Sequence, residues 1–269
     1  MEKKKVLFIS QEITPYLPES KFSKIGRHLP QGIQELGKEI RTFMPRYGLV
    51  NERRNQLHEV IRLSGMNLII NDTDHPLIIK VASIQAARMQ VYFIDNEDYF
   101  HRKHIFTDEN GKYFEDNDER AIFFAKGVME TVKKLRWDPD IVHCHGWFTG
   151  FVPLFLKNVY NDEPLFTNTK VVYSVYDDDF NPSMDKNLMD KLSYEDGIDK
   201  DMVSAVDEPS FDNLSKLALQ YSDAAIIGSE TINDNLTEHL RNINKPVLDY
   251  QPEDAYIEKY NEFYDKILK

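Results

Sequence analysis

The segment DPDIVHCHGWFTGFVP, residues 138–153, indicates the fold class of this chain. A short apolar run at residues 141–142 ends in His143, His145 and Trp147, and a helical pattern follows. Such a run, ending in polar side chains before a helix, is typical of a buried parallel strand whose carboxyl end opens into a crevice. Ligands bind at that edge of open α/β sheets, so the sequence predicts a binding site just after this strand.

Short apolar runs alternate with helical patterns along most of the 269 residues. The predicted strands are 5–10, 39–44, 77–82, 90–94, 141–143, 170–176 and 224–228, with a hairpin formed by 59–63 and 67–70. The predicted helices are 25–37, 119–136, 149–157, 210–221, 231–241 and 253–268. This alternation predicts an α/β fold with a doubly wound, mostly parallel, Rossmann-like sheet between two layers of helices. No linker rich in Pro, Gly or Ser divides the chain, so we expect a single domain over 1–269.

Charge and cysteine content exclude several classes of function. The 45 acidic and 33 basic residues give a net charge of −12, which repels nucleic acid and anionic membranes. Cys144 is the single cysteine, so neither an intramolecular disulfide nor a thiolate zinc cluster can form. The apolar run near the N-terminus is too short for a signal peptide or a membrane span, and we expect a cytoplasmic protein.

Six segments occur in an order that is typical of one enzyme family. They are KVLFISQEITPYLP (5–18), LPQGIQELGKEIRTFMPRYG (29–48), VYFIDNEDYFHR (91–102), DNDERAIFF (116–124), PDIVHCHGWFTGFVPLFL (139–156) and LSKLALQYSDAAIIGSE (214–230). The series resembles the N-terminal catalytic domain of bacterial glycogen and starch synthases. The resemblance implies one half of a GT-B glycosyltransferase, an enzyme that moves glucose from ADP-glucose to an α-1,4-glucan between two Rossmann-like domains.

Several positions depart from the pattern of that family. The family's K-T-G-G-L loop corresponds to residues 18–22, which contain no glycine, and Lys21 replaces the family's lysine only with a shift of three positions. The aspartate of the family's H-x-H-D-W motif is Gly146 here. The family's V-H-N strand end is residues 175–177, without the catalytic histidine, and a tyrosine of the long loop corresponds to Phe106. We therefore assign no catalytic residue and keep Lys21 only as a remnant of the nucleotide-sugar loop.

The resemblance also implies a second domain that carries most of the nucleotide pocket. Few residues follow Glu230 in this chain, so we expect that domain to be missing and the protein to be degenerate and stand-alone. An aromatic stripe in 253–268 corresponds to a C-terminal helix that, in the family, returns to the first domain. We expect it to pack back on the Rossmann-like core.

Four residues are candidates for binding a glucan. Glu12 follows the first strand, His145 and Trp147 follow the strand of the opening segment, and Tyr176 ends the next strand. The carboxyl ends of parallel strands share one edge, so we expect these side chains to converge on one crevice. A carboxylate, an imidazole and a flat ring suit a neutral α-glucan or maltooligosaccharide, and we expect no cofactor and no metal site.

Each of these residues also has a structural interpretation. Trp147 can be core packing instead of a sugar platform, and Glu12 can cap the turn that follows it. His143 can be buried and hydrogen-bonded, and we expect His143 and His145 to face opposite sides of their strand, unable to bind one metal ion together. The acidic run 177–179 can hold a divalent cation or form a solvated turn.

Three functions therefore remain open at this stage. The chain is a divergent glycogen or starch synthase completed by a second protein, a noncatalytic glucan-binding or regulatory module, or a protein-interaction module. Whether it is an enzyme stays uncertain, because glycosyl transfer needs cations and oriented amides on the departing diphosphate. The glycines, the aspartate and the histidine that the family uses are replaced here.

Overall fold

The structure is a computed structural model that describes residues 3–181 and 183–269. Its strands are β1 (Lys5–Ser10), β2 (Glu39–Pro45), β3 (His58–Glu59), β4 (Met66–Ile70), β5 (Thr73–Ile84), β6 (Met89–Asp95), β7 (Ile141–His145), β8 (Lys170–Val175), β9 (Ala224–Ile227) and β10 (Val247–Leu248). Its α-helices are α1 (Lys21–Glu35), α2 (Glu52–Asn55), α3 (Glu97–Phe100), α4 (Asn117–Leu135), α5 (Val152–Asn158), α6 (Leu188–Ser193), α7 (Phe211–Tyr221), α8 (Asp234–Asn242) and α9 (Tyr256–Ile267). Short 3-10 turns cover Gln85–Ala87, Trp147–Thr149, Pro164–Phe166 and Lys200–Val206.

The strands form one sheet in the order β10-β9-β8-β7-β1-β2-β6-β5-β3, and β4 pairs with β5. All pairings from β10 across to β6 are parallel, and β5 pairs antiparallel with β3, β4 and β6. The chain winds outward from β1 through β2 and β6, then returns to the other side of β1 at β7. The predicted α/β class with a mostly parallel, doubly wound sheet is confirmed. The reversal leaves a crevice at the carboxyl ends of β1 and β7.

Helices cover both faces of the sheet. On one face, α1 and α9 enclose a small core that includes Phe8, Ile33 and Tyr260. On the other face, α4, α5 and α7 contribute to a larger core with Phe124, Phe155 and other buried side chains. This gives the three predicted layers. None of the helices in 3–181 or 183–269 is both long and apolar enough to cross a membrane.

Helix α1 begins four residues earlier than the apolar spacing predicted. Ser20 and Ser23 form a capping box: the Ser23 amide donates to Ser20 Oγ at 3.0 Å, and the Ser20 amide donates to Ser23 Oγ at 2.7 Å. Two hydroxyls therefore satisfy amides that a helix start leaves unpaired. Three of the first four helical residues are polar, which is why hydrophobic periodicity alone did not detect this turn.

The predicted hairpin of residues 59–63 with 67–70 is wrong. Strand β4 pairs instead with the start of β5, and the Ile70–Thr73 pair closes a tight turn. The two turn residues, Asn71 and Asp72, have positive φ angles of 48° and 62°. Two-residue hairpin turns require such angles, which Asn and Asp tolerate better than most residues. The turn chemistry was therefore a stronger signal than the apolar run before it.

Helix α9 is held against the sheet and α1 by polar and apolar contacts. The Tyr264 hydroxyl lies 2.5 Å from His143 Nδ1 inside the core. Lys38 Nζ donates to Asn261 Oδ1 and Asp265 Oδ1, both at 2.7 Å. A Cβ added at Gly32 would lie 2.5 Å from the Ile257 side chain, so the two helices need the glycine to approach each other. The helix starts later than the predicted 253, and the unity of the whole chain as one domain stays a prediction.

Deletion of all residues after Tyr250 tests whether α9 stabilises the Rossmann-like core. The deletion removes the buried rings of Tyr260, Phe263 and Tyr264 and leaves the His143 ring without one of its partners. Each lost aromatic side chain costs about 3–5 kcal/mol when a cavity remains. We expect the melting temperature to fall by at least about 10 °C in thermal unfolding followed by circular dichroism.

The exposed Lys259 of the same helix provides the control, because Lys259→Ala should leave the melting temperature within about 2 °C of the unmodified chain. An unchanged melting curve for the truncated chain would show that α9 contributes nothing to the fold.

Candidate functional site

The candidate site lies where the carboxyl ends of β1, β7 and β8 meet. Gln11 and Glu12 follow β1, Gly146 and Trp147 follow β7, and residues 176–178 follow β8. The parallel register places Ser10 of β1 beside His145, and His145 beside Ser174 of β8, so these three ends are neighbours in space. The strand order reverses here, at the position where open α/β sheets bind ligands.

The two histidines of the opening segment lie on the same face of β7, and the expectation that they face opposite sides is wrong. Side chains two residues apart on a strand share a face, and the ring centroids of His143 and His145 are 3.8 Å apart. Ser174 Oγ lies 2.7 Å from His143 Nε2, and the Tyr176 hydroxyl lies 2.9 Å from His145 Nδ1. His143 is therefore a buried, hydrogen-bonded residue, as its structural interpretation proposed.

Burial decides the charge of the two histidines and of the hydroxyls that contact them. His145 is 2% exposed and Tyr176 is 1% exposed. Burial lowers the pKa of His145 to about 3 and lowers that of His143 well below its usual range. Both rings are neutral at physiological pH, and His145 Nε2 has no hydrogen-bond partner. The structure thus brings His145 and Tyr176 together as expected, but beneath the surface of the crevice and not on it.

Trp147 packs on the other side of the crevice from the histidines. Its ring centroid lies 4.8 Å from those of Phe106 and Phe180, and the residue is 2% exposed. The remaining edge of Trp147 forms part of a cavity of about 420 Å³, which it shares with Phe180, Tyr113 and other side chains. We call this space the aromatic cavity. Trp147 therefore packs in the core and also lines a cavity large enough for a small ligand.

A cluster of carboxylates around one ammonium group adjoins the aromatic cavity. Lys191 Nζ lies 2.7 Å from Asp118 Oδ2 and 2.8 Å from both Glu119 Oε1 and Asp185 Oδ2. Asp118 and Asp185 line the cavity. Burial raises the pKa of Asp118 to about 6, although its contact with Lys191 opposes the increase. Three acids around one base make this wall rich in hydrogen-bond acceptors and unfavourable for a phosphate.

Glu12 is half-buried and accepts a hydrogen bond from the residue that precedes α1. Ser20 Oγ donates to Glu12 Oε2 at 2.6 Å, and burial raises the pKa of the Glu12 carboxyl despite that hydrogen bond. Its side chain makes no hydrogen bond or ion pair with His145 or Trp147 within the described residues. The expected convergence of Glu12, His145 and Trp147 on one crevice, and their role in glucan binding, stay predictions.

Lys21, the remnant of the nucleotide-sugar loop, is already occupied by partners within the chain. Its Nζ lies 3.3 Å from Asp177 Oδ1 and donates to Ser229 Oγ at 3.2 Å. Lys21 is also the first residue of α1, where the Ser20 and Ser23 hydroxyls accept from the amides of Ser23 and Ser20. A diphosphate at this helix start would have to displace both the carboxylate and the capping box.

Sequence reasoning missed Asp178 and Gln11, which fill the space beside Gly146. Gly146 has φ 81° and ψ 166°, a conformation that is essentially limited to glycine. A Cβ there would collide with Gln11 Oε1 and lie 3.0 Å from Asp178 Oδ2. The Trp147 amide donates to Asp178 Oδ2 at 3.0 Å, and burial raises the pKa of Asp178 to about 7. The Gln11 carboxamide thus occupies the position into which a side chain at residue 146 would project, with the Asp178 carboxyl beside it.

The acidic run 177–179 was the available signal for Asp178, but it was interpreted as a turn or a cation site. Asp177 contacts Lys21, whereas Asp178 contacts the Trp147 amide, so the two carboxylates serve different neighbours. Among the residues described, no three His, Cys, Asp or Glu side chains are arranged to hold a metal ion.

Comparison with known proteins agrees with this fold. A family model described as the starch synthase catalytic domain matches residues 5–243. The glycogen synthase of Chlorobium limicola is 41% identical over 173 residues, which cover 64% of this chain and 35% of the relative. That of Chlorobaculum tepidum is 40% identical over 173 residues, which cover 64% of this chain and 36% of the relative. The matched part thus spans about a third of the length of these curated relatives.

A solved structure extends the agreement to the fold. The catalytic domain of starch synthase IV from Arabidopsis thaliana superimposes with a TM-score of 0.75 at 17% identity, covering 95% of this chain and 53% of that one. The resemblance stated from the sequence is therefore confirmed by a family match that spans most of the chain and by the same architecture. This chain belongs to the starch synthase catalytic domain family.

Proposed function

We propose that this glycogen/starch synthase-like chain binds an α-1,4-glucan in the aromatic cavity and does not transfer glucose by itself. The observation that carries the proposal is the lining of that cavity: aromatic rings of Trp147, Phe180 and Tyr113 on one side, carboxylates of Asp118 and Asp185 on the other. Sugar rings present an apolar C–H face and a rim of hydroxyl donors. Aromatic rings and carboxylate acceptors match these two features.

The size and position of the cavity support the same ligand. About 420 Å³ lies within the range of small-molecule sites, large enough for part of an oligosaccharide. Trp147 connects the cavity to the crevice at the strand ends. The related starch synthase IV domain was solved bound to ADP and acarbose, which supports a ligand cleft in this fold.

The charge arrangement argues against transfer from a nucleotide sugar. Stabilising a departing diphosphate requires cations and oriented amides that are free to face it. Lys21 is held by Asp177, and the Ser23 amide at the start of α1 is capped by Ser20. His145 is buried and neutral, so it offers no exposed proton donor. These residues thus support binding of the acceptor glucan and give little support for binding of the nucleotide-sugar donor.

Two further points belong to the same proposal. Transfer from a nucleotide sugar would require cations and amides that the described residues do not offer to a diphosphate. A second protein that completes the cleft is one source of such groups. We also propose a cytoplasmic location, since a chain whose single cysteine is buried contains no intramolecular disulfide of the kind common in secreted proteins.

An assay of glucosyl transfer tests the catalytic half of the proposal. The isolated chain is incubated with radiolabelled ADP-glucose and glycogen, next to a complete bacterial glycogen synthase as the positive control. We expect no incorporation above that of boiled protein, because no described cation is free to face the diphosphate at the start of α1. Incorporation above this background would contradict the proposal that the chain is inactive alone.

Fluorescence of Trp147 tests glucan binding in the aromatic cavity. Trp137→Phe leaves Trp147 as the single tryptophan, and we expect maltoheptaose to shift its emission. Phe180→Ala removes the ring 4.8 Å from Trp147 and should weaken the apparent affinity at least about tenfold, the loss of one stacking contact. Replacing Trp147 itself is less informative, since Trp→Ala in a core costs about 3–5 kcal/mol of stability.

Tyr194→Ala is the matched control, because this exposed tyrosine lies outside the aromatic cavity. Melting curves verify that each variant is folded at the assay temperature. Equal maltoheptaose affinity in Phe180→Ala and in the control would show that the glucan does not bind in the aromatic cavity.

A further inference from the structure

The charged side chains around the aromatic cavity carry an excess of negative charge. Those that line it are Lys112, Glu115, Asp118 and Asp185. Lys112 Nζ lies 2.8 Å from Glu115 Oε1, so these two charges balance each other. Asp118 and Asp185 share a single cation, Lys191, with a third carboxylate. One ammonium thus faces three carboxylates, and this wall of the cavity remains negative.

Both lining aspartates are mostly ionised at pH 7.5. Burial raises the pKa of Asp118 to about 6, although its contact with Lys191 opposes the increase. The contact with Lys191 lowers the pKa of Asp185. The charge of Asp179 also acts on the cavity, because it adds to burial in raising the pKa of Tyr113, a lining residue. The negative charge is therefore present under ordinary conditions.

Two arginines near the cavity leave this excess in place. Arg102 forms an ion pair with Asp116 at 2.5 Å, so its charge is balanced. Arg120 is fully buried, and its guanidinium donates to the Tyr99 carbonyl oxygen and to an Asn117 side chain. This single cation is outnumbered by the carboxylates around Lys191 and by Asp179.

Three aromatic rings line the same cavity without a cation of their own. The ring centroids of Trp147 and Phe180 are 4.8 Å apart, and those of Tyr113 and Phe180 are 6.4 Å apart. In the part of the chain that the structure describes, arginine and lysine side chains lie over other rings, such as Arg102 at 4.5 Å from the Phe114 centroid, but over none of these three. Aromatic ring faces attract cations.

Lys191 shows how the acidic wall holds an ammonium group. Its Nζ lies 2.7 Å from Asp118 Oδ2 and 2.8 Å from an oxygen of each of the other two carboxylates. The side chain is 5% exposed, so the charge is held away from water. Burial lowers the pKa of Lys191, but the three carboxylates raise it by more, and the net change is upward. Charge-assisted hydrogen bonds of this kind are among the strongest in proteins.

An organic ammonium group matches both features of the cavity. An anion is repelled by the carboxylates, and a neutral group gains only hydrogen bonds from them. A bare metal ion prefers several oxygen ligands at once, and no His, Cys, Asp or Glu side chains within 3–181 and 183–269 are arranged to supply three of them. An ammonium attached to carbon presents its charge to the carboxylates and its polarised C–H groups to the rings.

We propose that the aromatic cavity recognises an organic ammonium group, and that a saccharide with a protonated amine binds there more tightly than its neutral counterpart. The saccharide part of the inference rests on the proposed function, whereas the ammonium part rests on the rings and the carboxylates alone. A volume of about 420 Å³ has room for an ammonium group together with attached sugar units. Among saccharides, the cavity thus favours the cationic ones.

Two pairs of ligands that differ in charge and little in shape test the proposal. Choline is compared with 3,3-dimethylbutan-1-ol, in which carbon replaces the quaternary nitrogen. 1-Amino-1-deoxymaltotriitol is compared with maltotriitol, in which a hydroxyl replaces the protonated amine. Each is titrated into the Trp137→Phe chain while the emission of Trp147 is followed. We expect the cationic member of each pair to bind roughly tenfold more tightly, because a cation is desolvated between rings and carboxylates.

Asp185→Asn in the same chain tests the role of the carboxylates. The variant removes one negative charge from the lining, while its amide oxygen can still accept from the Asn187 amide as Asp185 Oδ1 does. We expect the advantage of the cationic ligands to fall by about threefold. Asp196→Asn is the matched control, because it removes the same charge from an exposed residue outside the cavity and should leave the advantage unchanged.

Phe180→Leu tests the role of the rings. It keeps an apolar side chain beside Trp147 but removes one π face from the cavity. Choline should therefore lose most of its advantage over 3,3-dimethylbutan-1-ol. Melting curves verify that every variant is folded at the assay temperature.

The outcomes separate this inference from the proposed function. If maltoheptaose binds and neither pair shows a preference for its cationic member, the ammonium inference is overturned and the glucan proposal stands. If choline is preferred and no saccharide binds, the ammonium site stands and the glucan proposal fails. A preference that survives both Asp185→Asn and Phe180→Leu, or that falls equally in Asp196→Asn, would show that the cavity is not its source and would overturn the inference.

Discussion

The reversal of strand order at β1 is the constraint on which the rest of this structure depends. Because β1 is flanked by β2 on one side and β7 on the other, the connections on its two sides diverge and leave a crevice at the strand ends. Gly146 lies at this point with a φ of 81° that other residues rarely adopt. Gln11 and Asp178 can approach its backbone because no side chain projects from it. The local geometry of the site therefore follows from one glycine at the switch point.

The same strands organise two environments of different polarity. Toward α9, the sheet carries a buried layer in which His143, His145 and Tyr176 bind one another and neighbouring hydroxyls. Toward α4 and α7, it carries the aromatic rings around Trp147 and the carboxylates around Lys191. Desolvation keeps the first layer neutral, while ion pairing stabilises the charges of the second. The polar side chains at these strand ends thus form a buried neutral layer on one face and adjoin the aromatic cavity on the other.

Internal pairing of the cations is the physical basis of the proposal that this chain does not transfer glucose by itself. Lys21 contacts Asp177, and Lys24 lies near Glu19, so two positive charges at the start of α1 are balanced locally. The serine capping box closes the helix start that a glycine-rich loop would leave open. Binding of neutral sugars needs none of these groups, whereas stabilisation of a leaving diphosphate needs all of them. The proposal of glucan binding therefore rests on the aromatic and acidic side chains of the aromatic cavity.

The sequence by itself determined the fold class, the family and the edge of the sheet where the site lies. Strand–helix alternation and the polar residues after β7 are local patterns, and local patterns are sufficient for these conclusions. Only the tertiary structure decided that His145 and Tyr176 are buried against each other, that Trp147 lines the aromatic cavity, and that Gln11 and Asp178 lie against Gly146. Burial and contacts between residues far apart in the chain depend on how the layers pack, and no local spacing encodes that packing.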